Sequence, residues 1–131
     1  MEKKILVIDD STVITFLWKL VLEKAGYGVS QVHDGASALQ MLAAKHYDGL
    51  IVDYHMDNMD GLTLATKVRA MPAHRQTPIV MITADSNQEV REKARSAGLS
   101  AWMTKPVNPD NLLEVMSQLC PLTDSLNLSP K

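Results

Sequence analysis

The sequence predicts a single α/β domain, a flavodoxin-like doubly wound sheet of five parallel strands with helices on both faces. Three observations predict the class. Short apolar runs such as Ile5-Leu6-Val7-Ile8 and Ile79-Val80-Met81-Ile82 alternate with longer stretches of helical period. The runs are apolar throughout instead of at every second residue, as in strands covered on both faces. A length of 131 residues suits one domain and leaves no room for a second full one.

The elements follow in order. Residues 5–9 read as a buried strand cut off by Asp9-Asp10, and 11–25 as a helix closed by Gly26 at its C-cap. A second strand is predicted over 29–33. A helix over 35–45 follows, with Ala38, Leu39, Leu42 and Ala43 on one face. A strand over 50–53 leads to a helix over 62–71 that stops before Pro72. Residues 78–83 form a fourth strand, 87–97 a polar helix ended by Gly98, 101–104 a fifth strand and 109–119 the last helix. The domain is expected over residues 1–120, with 121–131 a C-terminal tail or the start of a linker.

Composition narrows the function. Hydrophobic residues make up 46% and charged residues 21%, enough apolar material for a core. A formal net charge of −2 argues against direct nucleic-acid binding, which needs a basic excess. The single cysteine, Cys120, forbids an intrachain disulfide and suits a reducing compartment. No apolar run approaches the ~20 residues that span a bilayer, so no membrane contact and a cytoplasmic location are expected.

The polar residues at the strand ends carry the chemistry. In an open parallel sheet, ligands bind outside the carboxyl ends of the strands. Asp9 and Asp10 end the first strand and Asp53 ends the third. Three converging carboxylates repel one another unless a cation or a shared proton relieves them, and such oxygen sites suit Mg²⁺. Thr83 at the end of the fourth strand offers a hydroxyl, and Lys105 after the fifth offers a positive charge. An acidic nucleophile, a metal, a hydroxyl donor and a lysine are the parts of phosphoryl transfer. Each residue alone has a plainer reading: Asp10 as an N-cap, Asp53 as a loop acid, Thr83 as a cap, Lys105 as a solvated side chain. Their joint placement at one edge of the sheet favours the site.

These residues resemble the receiver domain of two-component response regulators, in particular its chemotaxis member. The matching motifs are Ile8-Asp9-Asp10-Ser11, Asp53-Tyr54-His55-Met56 with Met59-Asp60-Gly61, Ile82-Thr83-Ala84, and Lys105-Pro106. The resemblance implies strand order 2-1-3-4-5 and a phosphorylation-dependent signalling switch that is not a conventional enzyme. It catalyses only its own phosphorylation and dephosphorylation. Asp53 is then the phosphoacceptor. Mg²⁺ (or Mn²⁺) is held by Asp10 and Asp53 directly, by Asp9 through water and by the His55 backbone carbonyl. Thr83 and Lys105 hold the phosphoryl oxygens, and the Lys105-Pro106 bond is cis. The implied partner is a sensor histidine kinase or histidine phosphotransfer protein; no effector or DNA-binding motif identifies a downstream target. The alternative is a receiver-like module that binds partners without phosphate.

Several positions qualify the resemblance. Trp102 stands where receivers usually carry Tyr or Phe, and is read either as the switch ring that moves with Thr83 or as an aromatic covering the fifth strand. Asp57 replaces the common proline and is expected to face water. His55 and Asp85 occupy positions that influence how fast the phosphate is lost. On the first helix, Ile14, Leu17, Trp18, Val21 and Ala25 form a stripe for the sheet, while Val13, Phe16 and Leu20 form a second. The second stripe is either a docking surface for the donor or further core. The last helix has no Lys or Arg, unlike receivers that dimerise there. Two rival classes fail on single positions. A haloacid-dehalogenase phosphatase needs an aspartate where His55 stands, and a flavin-binding flavodoxin needs a phosphate loop where Asp9-Asp10 would repel phosphate.

Overall fold

The computed structural model describes residues 2–84 and 87–122; Asp85 and positions 123–131 of the expected tail lie outside the described residues. Eleven elements follow in chain order: β1 (Lys4–Ile8), α1 (Thr12–Ala25), β2 (Gly28–Val32), α2 (Gly35–Ala44), β3 (Gly49–Asp53), α3 (Gly61–Arg69), a 3₁₀ turn (Pro72–His74), β4 (Ile79–Thr83), α4 (Gln88–Ser96), β5 (Ala101–Thr104) and α5 (Pro109–Leu119). The five strands are parallel in the order β2-β1-β3-β4-β5, as the resemblance implied.

Helices cover both faces and divide the core in two. Leu6, Ile8, Leu50, Val52, Ile79 and Met81 face one way, onto Leu42 of α2 and Leu64 and Val68 of α3. Ile5, Val7, Ile51, Val80 and Ile82 face the other way, onto Trp18 and Leu22 of α1 and Leu112 and Met116 of α5. Both faces of β1, β3 and β4 are therefore apolar, which explains why these strands lack alternation.

Local chemistry sets the helix ends. Asp34, Asp60, Asn87 and Asn108 each accept a backbone N–H in the first turn of the helix they precede. Ser11 does the same for α1, its Oγ accepting from Ile14 N at 3.2 Å. The plainer reading of Asp10 as that cap is corrected: the cap is one residue later, and Asp10 stays exposed. Gly26 closes α1 at φ 112°, a left-handed conformation that a side chain would strain. Gly49 serves differently: a Cβ there would lie 2.7 Å from Cys120 Sγ, so β3 and the end of α5 approach through it.

One assignment on α1 is corrected too. Leu17 was expected to face the sheet, but the buried residues of α1 are Thr15, Trp18 and Leu22, and Leu17 is 45% exposed. At about 100° per residue, Leu17 lies a quarter-turn from Trp18 and projects beside Val13 and Leu20.

α5 is tied to the rest by the Tyr27 hydroxyl, which donates to Cys120 O at 2.9 Å in a buried setting. Tyr27→Phe is expected to lower stability by about 1–2 kcal/mol in urea unfolding, the cost of leaving a buried carbonyl short of its donor. An unchanged midpoint would mean that water serves that carbonyl instead.

Candidate phosphoacceptor and metal site

The register of the sheet builds the site. Ile8 pairs with Val52 between β1 and β3, so the next residues, Asp9 and Asp53, emerge side by side. The chain crosses over between these strands, where doubly wound sheets leave a crevice. Asp10 follows at the exposed rim. One carboxylate oxygen from each of Asp9, Asp10 and Asp53 lies within 4.8 Å of the others. The three predicted acids are thus brought together.

Two of the three are buried: Asp9 is 5% exposed and Asp53 4%. Burial is the main cause that pushes the Asp9 carboxyl up to about 6. The Ser11 N–H, donating to Asp9 Oδ1 at 2.9 Å, opposes the rise; Asp53 adds to it, Lys105 subtracts and Asp10 adds. Ser11 thus serves both as the cap of α1 and as a donor to Asp9, a double role that an Asp-Asp-Ser run opening an apolar helix signals in the sequence.

Lys105 reaches the cluster from the far side of the crevice. Its Nζ stands 2.9 Å from Asp53 Oδ1. That oxygen is fully buried and has no partner in hydrogen-bond geometry among the described residues, so the Lys105 contact is an ion pair. Burial lowers the Lys105 ammonium, but the close Asp53 carboxylate, with Asp9 and Asp10 behind it, outweighs burial and holds it above its ordinary value. The lysine is delivered by β5, whose Thr104 pairs with Thr83, and by the Lys105 N–H donating to Thr83 O at 2.8 Å. The Lys105-Pro106 bond is cis. Thr83 ends β4, fully buried.

The loop after Asp53 is closed by backbone. Tyr54 N donates to Ile82 O at 2.9 Å and Gly61 N to Tyr54 O at 2.8 Å. A Cβ on Gly61 would lie 2.7 Å from Asp53 O and 3.0 Å from Tyr54 Cα, so only glycine lets α3 begin against the backbone of Asp53. Inside the loop, His55 is exposed and meets Tyr54 edge to face at 4.6 Å. Asp57 is exposed and outside the carboxylate cluster, as expected for an acid facing water.

Trp102 is half-buried, level with Met81 and packed on the core beneath α2 and α3; its indole Nε1 is buried without a hydrogen-bond partner among the described residues. Val13, Phe16 and Leu20 are 73%, 54% and 50% exposed, so the second stripe of α1 is surface and not core.

The donor set fits a divalent cation. All three ligands are hard carboxylate oxygens, two are desolvated, and the buried Asp53 oxygen has only an ion-paired lysine beside it among the described residues. No described helix is long and apolar enough to cross a membrane.

Comparison with known proteins agrees with this geometry. The model of the response regulator receiver domain matches residues 5–117. Among curated proteins, the chain is 35% identical over 125 residues to the sensory/regulatory protein RpfC of Xanthomonas campestris pv. campestris, covering 94% of this chain and 17% of that protein. It is 38% identical over 115 residues to the sensor protein EvgS of Escherichia coli K12, covering 88% of this chain and 9% of that protein. The chain thus spans less than a fifth of these relatives' length. Among solved structures, the chemotaxis protein CheY4 of Vibrio cholerae superposes with a TM-score of 0.87 at 31% identity, covering 91% of this chain and 99% of that one. The receiver domain of the sensor histidine kinase PA1611 of Pseudomonas aeruginosa, with a magnesium ion in its active site cleft, gives 0.83 at 27% identity over 91% of this chain and 98% of that one.

The raised Asp9 value has a signed consequence. Between its ordinary 3.8 and about 6, the folded protein holds a proton at Asp9 that the unfolded chain releases. Stability from this group is therefore greatest at low pH and is lost as pH rises through that window, by on the order of 3 kcal/mol. Without added metal, Asp9→Asn is expected to be more stable than the parent, by a margin that grows from pH 4 to pH 7 in urea titrations. A margin independent of pH would show that Asp9 is not held against its charge.

Proposed function

This chain belongs to the response regulator receiver family, and on that premise we propose that it is a phosphorylation-operated switch in which Asp53 accepts the phosphoryl group. The observation that carries the reading is the meeting of three carboxylates within 4.8 Å with Lys105 at 2.9 Å from the most enclosed of them. The receiver unit comprises residues 1–120, with 121–131 a tail or the start of a linker, and the protein works in the cytoplasm.

Asp10 and Asp53 would hold Mg²⁺, or Mn²⁺, directly; Asp9 would act through water and the His55 backbone carbonyl would complete the protein's share. The bound ion supplies positive charge between the acids and the anionic donor. An Asp53 carboxylate oxygen attacks phosphorus of a phosphohistidine. The P–O bond forms as the P–N bond breaks, and the imidazole nitrogen leaves with the electron pair. Lys105 exchanges its Asp53 contact for a phosphoryl oxygen, and the Thr83 hydroxyl donates to another. Hydrolysis of the acyl phosphate by water resets the chain.

The switch couples Thr83 to Trp102. A buried indole N–H without a partner is disfavoured by ~1–3 kcal/mol. The indole N–H of Trp102 has no partner among the described residues in its observed position, which supports a second position taken up when Thr83 turns toward the phosphoryl group. The donor, a histidine kinase or histidine phosphotransfer protein, docks on Val13, Phe16 and Leu20. Their exposure beside the site, on a helix whose first turn adjoins Asp10, supports that assignment. Direct nucleic-acid binding has no place in this reading.

Incubation with acetyl phosphate and Mg²⁺ is expected to add the mass of one phosphoryl group to the intact parent, and nothing to Asp53→Ala or to samples with a chelator. No gain in the parent would favour the phosphate-independent binding module. Phe16→Asp is expected to slow transfer from a histidine phosphotransfer domain that labels the parent by roughly tenfold or more, about 1.4 kcal/mol for a central apolar contact. Labelling by acetyl phosphate should stay intact. Equal loss with both donors would place Phe16 in folding and not in docking.

A further inference from the structure

The loop between Asp53 and Gly61 is pinned at Gly61, but its middle must be held by something else. The position commonly filled by proline is Asp57, which is exposed. Asn58 follows in a left-handed conformation at φ 71°, and Met59 N donates to Asp57 O at 2.8 Å across the bend. That short bond closes a turn without anchoring it to the body of the domain.

Tyr54 and Met56 pack on the core on the Asp53 side of the bend, and Met59 does so on its far side. Met59 is half-buried and lies across the first residue of α2, where a Cβ on Gly35 would stand 2.6 Å from Met59 Sδ and 3.3 Å from both its Cβ and its Cε. A side chain at position 35 would make the Met59 thioether shift from that place. α2 is a firm seat, because Asp34 Oδ1 accepts from Ser37 N at 2.7 Å and Oδ2 from Ser37 Oγ at 3.1 Å. The same β2–α2 junction adjoins the carboxylates, Asp9 N donating to Val32 O at 3.2 Å.

We infer that Gly35 and Met59 are positioning residues for the acceptor loop: the thioether lodged over Gly35 sets where the loop's backbone stands relative to Asp53, and with it the affinity for the divalent cation. The inference rests on the reading of Asp9, Asp10, Asp53 and the His55 carbonyl as the cation site. Neither residue touches the ion. Both act by fixing the backbone that carries His55. A flexible thioether fills such a slot well, and its loss leaves the segment after Asp57 and Asn58 without its contact to the core, while Tyr54 and Met56 keep theirs.

Calorimetric titration with Mg²⁺ tests this, with thermal unfolding of the metal-free proteins as the control for folding. Gly35→Ala is expected to bind Mg²⁺ about tenfold more weakly than the parent, the usual cost of disturbing an outer support of a metal ligand. Met59→Ala frees the loop without any overlap and is expected to weaken binding as well. In Gly35→Ala/Met59→Ala the added methyl fills space vacated by the thioether, and affinity should return most of the way to the parent's. A purely structural pair would lower the melting temperature and leave the Mg²⁺ affinity unchanged. Parent-like affinity in Met59→Ala, or a double variant weaker than both single ones, overturns the inference even if Gly35→Ala does not fold. A parent that binds no Mg²⁺ overturns the cation site as well, so the two failures are told apart.

Discussion

Everything at the functional edge answers one constraint, the mutual repulsion of three carboxylates held within 4.8 Å, two of them out of water. Paired charges in such a setting interact by several kcal/mol, so the fold must supply compensation or lose stability. It supplies some. The Ser11 N–H turns to Asp9, and Lys105, directly after β5, is brought against Asp53. It stops short of offsetting burial, which is the main reason the Asp9 carboxyl is pushed up to about 6, with Asp53 and Asp10 adding smaller rises. A site left partly uncompensated has free energy to release when positive charge arrives. That is the physical basis for coupling ligand binding to the rest of the domain.

The doubly wound topology makes the constraint possible. β1 lies between β2 and β3, so the chain leaves β1 toward one side of the sheet and returns to β3 on the other. Acids at the ends of adjacent parallel strands then converge without any loop having to carry them. The other members of the site come from farther along, Thr83 on β4 and Lys105 after β5, with Trp102 within β5. α1, capped beside Asp10, brings an exposed apolar stripe to the same edge. Charged groups and an exposed apolar stripe thus share one side of the molecule, while Tyr27, Cys120 and Gly49 lock the opposite end.

Much of this was legible in the residue order. Continuous apolar runs gave the parallel sheet, and Asp9, Asp10, Asp53, Thr83 and Lys105 at their ends gave the site's members. The strand order came from family resemblance, since periodicity does not say which strands are neighbours. Leu17 was placed wrongly because a helix with two adjacent apolar stripes does not reveal which faces the sheet; the buried Thr15 that settles it is not an apolar signal. Gly35 and Gly61 were read as helix starts or motif members. Their steric roles depend on Met59 and on the Asp53 backbone, contacts between segments that no local pattern contains. His74 was missed for a similar reason. It is buried with Thr77 and the Leu42 carbonyl as hydrogen-bond partners, an arrangement that exists only once the 3₁₀ turn and α2 are packed together.

The most direct test of the carboxylate constraint is proton release on Mg²⁺ binding at pH 6, measured calorimetrically in two buffers of different ionisation enthalpy. With the Asp9 carboxyl at about 6, a substantial fraction of the metal-free protein is protonated there, and binding should expel on the order of half a proton per ion. Release that fades toward pH 8 and disappears in Asp9→Asn is the expected result. Binding with no proton exchange at pH 6 would contradict it, because the Asp9 carboxyl would then already be ionised before the ion arrives.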